Sequence, residues 1–384
     1  MNQTAPAPGF PTAIGSPLSE KIEELFAKAH IRINGSRPWD MQLKTPGVLE
    51  RIASFGSLGL GETYVNGDWD AEHLDTFFAH LLRAKLYREA NPLRLLLPVL
   101  RERIFNRQSR KRAWQVGEAH YDLGNDFYQA MLGPEMIYTC GYWKNADTLA
   151  KAQNAKLDLI CRKLRLAPGM RLLDIGCGWG GLMAHAAENY GVECVGITIS
   201  KEQARFAKEN YQNLPIEFRL QDYRETEGRF DRIASIGMFE HVGKRNYRTF
   251  MRVANRCLTD SGIFLLQTIG KNDYAGTTDP WIEKYIFPNG ELPSICHISK
   301  AADELLVTED LHNFGADYDK TLMAWHENFE AAWPRFSARL GERFHRMWRY
   351  YLLSCAGAFR ARDLQLWQWT FSKQGLEGGL PRIG

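Results

Sequence analysis

The stretch LLDIGCGWGG, residues 172 to 181, constrains this chain more than any other, because an apolar run passes directly into a cluster of glycines. Gly176, Gly178 and Gly181 satisfy the pattern G-x-G-x-x-G, the turn after a first strand at which a ligand can approach the backbone closely. From about residue 115 onward the sequence agrees with that reading. The apolar runs RLLDIG (171–176), VECVGITI (192–199), IEFRLQD (216–222), DRIASIG (231–237) and GIFLLQTIG (262–270) are separated by helical stretches or short loops. Such alternation predicts an α/β fold with a mostly parallel, doubly wound, Rossmann-like sheet. The C-terminal part reads as helical, and in TLMAWHENFEAAWPRF the residues Leu322, Trp325, Phe329 and Trp333 fall on one face, a pattern of core packing.

The remainder divides by composition. Residues 1–17 carry Pro6, Pro8, Pro11 and Pro17, lack the basic and apolar regions of a signal peptide, and read as a disordered lead. Residues 18–90 read as a smaller, mixed N-terminal domain: a helical LSEKIEELFAKA, a glycine-rich and turn-prone GSLGLGETYVNGDWD, then a helical AEHLDTFFAHLLRAKL. Residues 91–114 read as a basic linker, and residues 115–384 as the α/β domain. Within the linker, positions 101 to 112 hold six basic residues against one acidic. This segment is either a solvated connector or an amphipathic cationic stretch that rests on anionic lipid headgroups. The formal charge of +3 makes no general case for nucleic acid. Seven cysteines without regular spacing argue against a disulfide framework and for a reducing compartment, and Cys296-His297 lacks the second ligand pair of a zinc site, so no metal is expected. No stretch has the uninterrupted apolar length of a membrane span.

The glycine loop alone does not name its ligand. A nicotinamide dinucleotide site calls for an acid about 20 residues on, at the end of the second strand. Here that end reads Gly196-Ile197-Thr198-Ile199-Ser200, without one. Asp174, by contrast, stands two residues before Gly176 and puts an acid at the first strand's end, beside a ligand's positive charge. S-adenosylmethionine carries an ammonium and a sulfonium and no pyrophosphate, so the loop favours it.

Taken together, HYDLGNDFYQAML, YTCGYW, LLDIGCGWGG, GITIS, GMFEHVG, YIFPNG, NFGADYDKTLMAW and CAGAFRARDLQLWQW resemble the cyclopropane fatty acid synthase family, which includes the mycolic acid cyclopropane synthases. The resemblance runs from about residue 20 to the end. It implies a S-adenosylmethionine-dependent methyltransferase fold and transfer of a methyl group to a cis double bond in a phospholipid acyl chain, closing a three-membered ring. It also implies a cytoplasmic enzyme, peripheral at the inner membrane face, whose partner is the bilayer's acyl chains; a homodimer is compatible with it. Of the two domains, it makes residues 115–384 the catalytic one and residues 18–90 lipid-associated. The cofactor positions it implies are Tyr138 and Thr139; Asp174, Gly176, Cys177, Gly178, Trp179 and Gly180; Thr198, Ser200 and Gln203; and Asp222, Tyr223 and Arg224. HYDLGND, beginning at His120 and Tyr121, is expected to form a loop or helix over the cofactor.

The chemistry needs a dry pocket in which sulfonium and alkene are aligned, and then a base, because ring closure removes a proton from the new methyl. The resemblance implies a bound bicarbonate ion as that base, in a cradle of Cys140, Gly237, Glu240, Gln267, Ile269 and Tyr318. Glutamine at 267 departs from the family's usual histidine; it can donate a hydrogen bond but cannot relay a proton. Cys355, in SCAGAFRARD, invites a nucleophile reading that alkene chemistry does not use. The rival functions are a fatty-acyl methyltransferase that leaves a methyl branch, a small-molecule N-methyltransferase, and a non-catalytic binder of lipid surfaces.

Overall fold

The computed structural model describes residues 17–85, 123–273 and 278–384. The lead up to residue 16, the basic linker 91–114, and His120 and Tyr121 lie outside the described residues. Nine strands are described, in two sheets: β1 (Gln42–Leu43) pairs with β2 (Trp69–Asp70), and the other seven form one sheet. These are β3 (Arg171–Ile175), β4 (Glu193–Thr198), β5 (Ile216–Leu220), β6 (Phe230–Ile236), β7 (Leu258–Lys271), β8 (Val307–Asn313) and β9 (Leu364–Ser372), in the order β5-β4-β3-β6-β7-β9-β8. All five strand runs read from the sequence are present, and β3 through β7 pair in parallel.

Side chains alternate between the two faces, as a strand's period of two requires. Leu173, Ile175, Val195 and Ile233 pack with Phe250, Met251 and Ala254 of the helix Tyr247–Cys257. Their neighbours Leu172, Cys194 and Ala234 pack with Ile160 of the helix Leu149–Lys163 and Met183 of the helix Gly181–Tyr190. Helices therefore cover both faces, which is the doubly wound arrangement.

The C-terminal part differs from the helical expectation. β8 and β9 are antiparallel additions to the sheet, β9 lying between β7 and β8. Between them in the chain run the helix Ala316–Ala332 and the helix Ser337–Arg360, the latter broken at Gly341, where φ is +74°. Leu322, Trp325 and Phe329 are buried, as the one-face pattern predicts, whereas Trp333 is half-buried in a short 3-10 turn.

The N-terminal helices differ too. Pro17 starts the helix Pro17–Lys28 rather than belonging to a lead, since the first helical position needs no N–H partner. The glycine-rich stretch is not a turn but the helix Ser57–Val65, and its glycines serve close packing: a methyl on Gly61 would overlap the indole of Trp281. The helix Leu74–Arg83 packs on Ser337–Arg360, where a methyl on Gly357 would lie 2.6 Å from Phe78 Cβ. Arg360 ties the contact with ion pairs to Asp75 and Asp319. The result is one core that includes Phe26, Tyr64, Trp69 and Phe77 from the N-terminal unit with Trp325, Trp348 and Tyr350 from the C-terminal helices. The small unit expected at 18–90 thus has no separate core.

Candidate active site

β3 ends at Ile175, and the chain turns through Gly176, Gly178 and Gly180, with φ of +85°, +55° and +93°. Side-chain-bearing residues rarely adopt these values, which is why glycines stand here. The turn is anchored on β4 by hydrogen bonds from the N–H groups of Gly176 (2.9 Å) and Cys177 (3.1 Å) to the carbonyl of Ile197. A methyl built on Gly178 meets nothing within 4 Å, so the backbone there borders open space.

That space is a cavity of about 500 Å³. Its wall includes Tyr138, Thr139, Asp174, Gly176, Cys177, Gly178, Trp179, Thr198, Ser200, Gln203, Asp222, Tyr223 and Arg224 of the expected cofactor set. Gly180 is not in the wall; it caps the helix Gly181–Tyr190 and faces the ring of Phe218. Trp179 is held by its indole N–H, which donates to Asn125 Oδ1 at 3.0 Å at the start of the helix Asn125–Leu132, the described end of HYDLGND. At the end of β4 stands a neutral network: Thr198 Oγ1 donates to Gln203 Oε1 (3.0 Å) and accepts from Ser200 N–H (3.1 Å). Asp222 is paired with Arg224 at 2.8 Å.

Asp174 is the exception to this pairing. It is buried, and its Oδ1 has no hydrogen-bond partner among the described residues. Burial pushes its carboxyl up to about 7 against the pull of Lys156. An unpartnered carboxylate oxygen in the wall of a glycine-lined cavity fits a cationic group of a ligand, and the C-terminal end of β4 carries no acid, as the sequence predicts.

Glu240, Gly237, Ile269, Tyr318 and Cys355 line the same cavity. Ile269 N–H donates to Glu240 Oε1 at 2.6 Å, while Glu240 Oε2 is buried with no hydrogen-bond partner among the described residues, and burial pushes this carboxyl up to about 7. Tyr318 stacks on Phe359 at 4.5 Å between ring centres. Two members of the expected cradle are elsewhere. Cys140 is fully buried outside the wall, its thiol turned to the carbonyl of Gly141 (3.1 Å), and burial raises its pKa well above the ordinary thiol value. Gln267 lies in β7 directly opposite Gln368 of β9, and that register pairs the two amides, Gln368 Nε2 donating to Gln267 Oε1 at 2.9 Å. The backbone donors are engaged as well, Gly237 N–H with the carbonyl of Gln267 (3.0 Å) and Ile269 N–H with Glu240. Burial pushes the Cys355 thiol up to about 12, which keeps it protonated and unsuited to nucleophilic attack.

The sequence reading missed two groups of wall residues. One is the set Leu60, Phe78, Leu81 and Leu82 from the N-terminal helices, which with Ile286, Leu322 and Tyr351 gives the cavity an apolar portion. The other is Lys156, buried and hydrogen-bonded from Nζ to Thr139 Oγ1 at 2.9 Å. A signal for it existed: Lys156 shares helical spacing with the buried Ala152, Leu159 and Ile160, so a charge sat on an apolar face.

Known proteins agree with this geometry. The profile of the mycolic acid cyclopropane synthetase family matches residues 108–369. The cyclopropane-fatty-acyl-phospholipid synthase of Escherichia coli K12 is 54% identical over 93% of this chain and 94% of its own. Cyclopropane mycolic acid synthase 1 of Mycobacterium tuberculosis is 36% identical over 67% of this chain and 96% of its own. The solved structure of the mycolic acid cyclopropane synthase CmaA1 complexed with SAH and CTAB superposes with a TM-score of 0.64 at 34% identity, covering 68% of this chain and 98% of that one.

Proposed function

This chain belongs to the mycolic acid cyclopropane synthetase family of S-adenosylmethionine-dependent methyltransferases, and from that membership we propose that it cyclopropanates the cis double bonds of unsaturated phospholipid acyl chains. The observation that carries the substrate is the composition of one cavity. Its wall joins a glycine loop with an unpartnered Asp174 to apolar side chains from the N-terminal helices, so a cationic ligand and an acyl chain have a common space.

When bound, S-adenosylmethionine supplies an electrophilic methyl on a sulfonium. Held against the glycine loop and Asp174, it would supply that methyl to the alkene with its sulfonium sulfur as the leaving group, and the acyl chain would then carry the positive charge. Loss of one proton from the added methyl lets its C–H pair close the ring. The protein's part is to exclude water, to align the reactants, and to present the faces of Tyr138, Tyr318, Tyr351 and Phe287 to the cation, each worth about 0.5 to 2 kcal/mol. Ile269 N–H fixes one oxygen of Glu240 and leaves the other unpaired beside the substrate space.

The reading extends to the base. A buried oxygen without a partner and a phenol in the same wall support a small acid–base group such as bicarbonate held by Glu240 and Tyr318. When bound it would supply the base for the departing proton. With Cys140 and Gln267 outside the wall, the donor set is smaller than the family resemblance implies. Action on bilayer lipid further implies an enzyme at the cytoplasmic membrane face. Among the described residues no helix is long and apolar enough to cross a membrane.

The test is incubation with S-adenosylmethionine and unsaturated phospholipid vesicles, followed by proton NMR of the recovered acyl chains. Upfield cyclopropyl protons support the reading. Retained vinyl protons beside a new methyl branch identify the rival methyltransferase, and unchanged lipid overturns both. Repeating the assay in carbonate-free buffer, with and without added bicarbonate, tests the base; an unchanged rate rejects it.

A further inference from the structure

Lys156 is a buried cation that the reaction so far described does not use. It rises from the helix Leu149–Lys163, is 2% exposed, and lines the cavity together with Thr139 and Asp174. An ammonium has three N–H donors. The hydrogen bond to Thr139 Oγ1 takes one, and among the described residues no carboxylate lies within ion-pair distance of Nζ. The same helix, one turn earlier, pins the neighbouring backbone: Gln153 Nε2 donates to the carbonyls of Ile137 (3.2 Å) and Thr139 (3.1 Å). Thr139 is thus held at both its backbone and its side chain. Because Lys156 donates to the hydroxyl oxygen, the hydroxyl hydrogen is turned elsewhere and is available to an acceptor.

A buried ammonium and a buried carboxyl therefore border one cavity with no ion pair between them, and each lacks a full set of hydrogen-bond partners among the described residues. Buried ionisable groups of this kind are destabilising unless something completes them. A ligand end that carries both an ammonium and a carboxylate completes both at once, the ammonium against Asp174 and the carboxylate against the other charge. We propose that Lys156, acting directly and through the hydroxyl of Thr139, is the residue by which this enzyme requires the carboxylate of its cofactor's amino-acid end. The inference rests on S-adenosylmethionine as cofactor. Burial, which draws the Lys156 ammonium down to about 8, is consistent with a cation that awaits a partner.

The experiment is calorimetric titration with S-adenosylhomocysteine and with its decarboxylated analogue, which keeps the adenosine and the ammonium and lacks only the carboxylate. The parent protein is expected to prefer the carboxylate-bearing ligand by about ten- to a hundredfold, the value of one hydrogen bond to a charged group. In Lys156→Met that preference should shrink to within about threefold, with affinity for the decarboxylated analogue unchanged or tightened. A parent that binds both ligands equally overturns the inference without recourse to any variant. So does a Lys156→Met protein that loses both ligands alike, because a merely structural lysine would act in that way. A parent that binds neither ligand instead removes the cofactor reading itself.

Discussion

Asp174 and Glu240 are carboxyls that burial raises to about 7, so in the folded chain each holds a proton that the unfolded chain releases near pH 4. Between those values the folded state binds more protons than the unfolded one, and stability falls as pH rises, the loss being complete above about pH 7. It amounts to at most about 4 kcal/mol for Asp174 and about 3 kcal/mol for Glu240. Thermal melts of ligand-free protein should therefore show Glu240→Gln more stable than the parent at pH 8 and little different at pH 5; an equal shift at both would show that the charge is not the cause. The same variant should slow turnover by about ten- to a hundredfold with S-adenosylhomocysteine affinity near the parent's, since it keeps the glycine loop intact. Gly178→Ala tests that loop. Its φ of +55° adds strain of about 1 kcal/mol, and the new methyl enters the cavity rather than the core, so titration should find the cofactor affinity lost in a protein that still melts cooperatively. Of these residues Asp174 and Gly178 were legible in sequence because a local turn defines them. That the side chains of Cys140 and Gln267 lie outside the cavity wall was not legible, because the carbonyl of Gly141 and the cross-strand partner Gln368 decide where they turn.

At the scale of elements, the parallel strands announced themselves as apolar runs closed by turns, while two kinds of element were hidden. Residues 364–372 of β9 are flanked on both sides, by β7 and β8, and so show a nearly continuous buried run rather than the alternation of a half-exposed strand. The helix Ser57–Val65 was hidden by its own glycines, of which Gly59 makes room for the carbonyl of Arg51 and Gly61 for the indole of Trp281, a residue more than 200 positions away. This helix and Leu74–Arg83 give the cavity its apolar side chains, which makes them accountable for lipid and not for cofactor. Leu82→Trp should accordingly raise KM for vesicle-borne phospholipid several-fold and leave S-adenosylhomocysteine affinity unchanged. Equal loss of both would assign these helices a general structural role instead.

For the whole molecule, the proposed phospholipid substrate would reach that apolar side from a bilayer, and the basic segment 101–112 is the sequence feature suited to a membrane surface. Replacing Arg110, Lys111 and Arg112 with glutamine should weaken binding to anionic vesicles, raising salt should weaken the parent in the same way, and activity on detergent-dispersed substrate should persist. Unaltered vesicle sedimentation would reduce the segment to a solvated connector. What the sequence by itself determined is whatever depends on neighbours along the chain: the strand periods, the glycine turn, and the acid that precedes it in place of one at the end of the second strand. Only the tertiary structure decided the rest. The N-terminal helices share a core with residues 314–366 and so belong to the site rather than to a separate domain. Lys156 and Asp174 border one cavity although they stand on different elements. Periodicity reports which face of an element is apolar, but not which distant face covers it; burial against that partner is what turns an ordinary lysine or carboxyl into an unpaired charge.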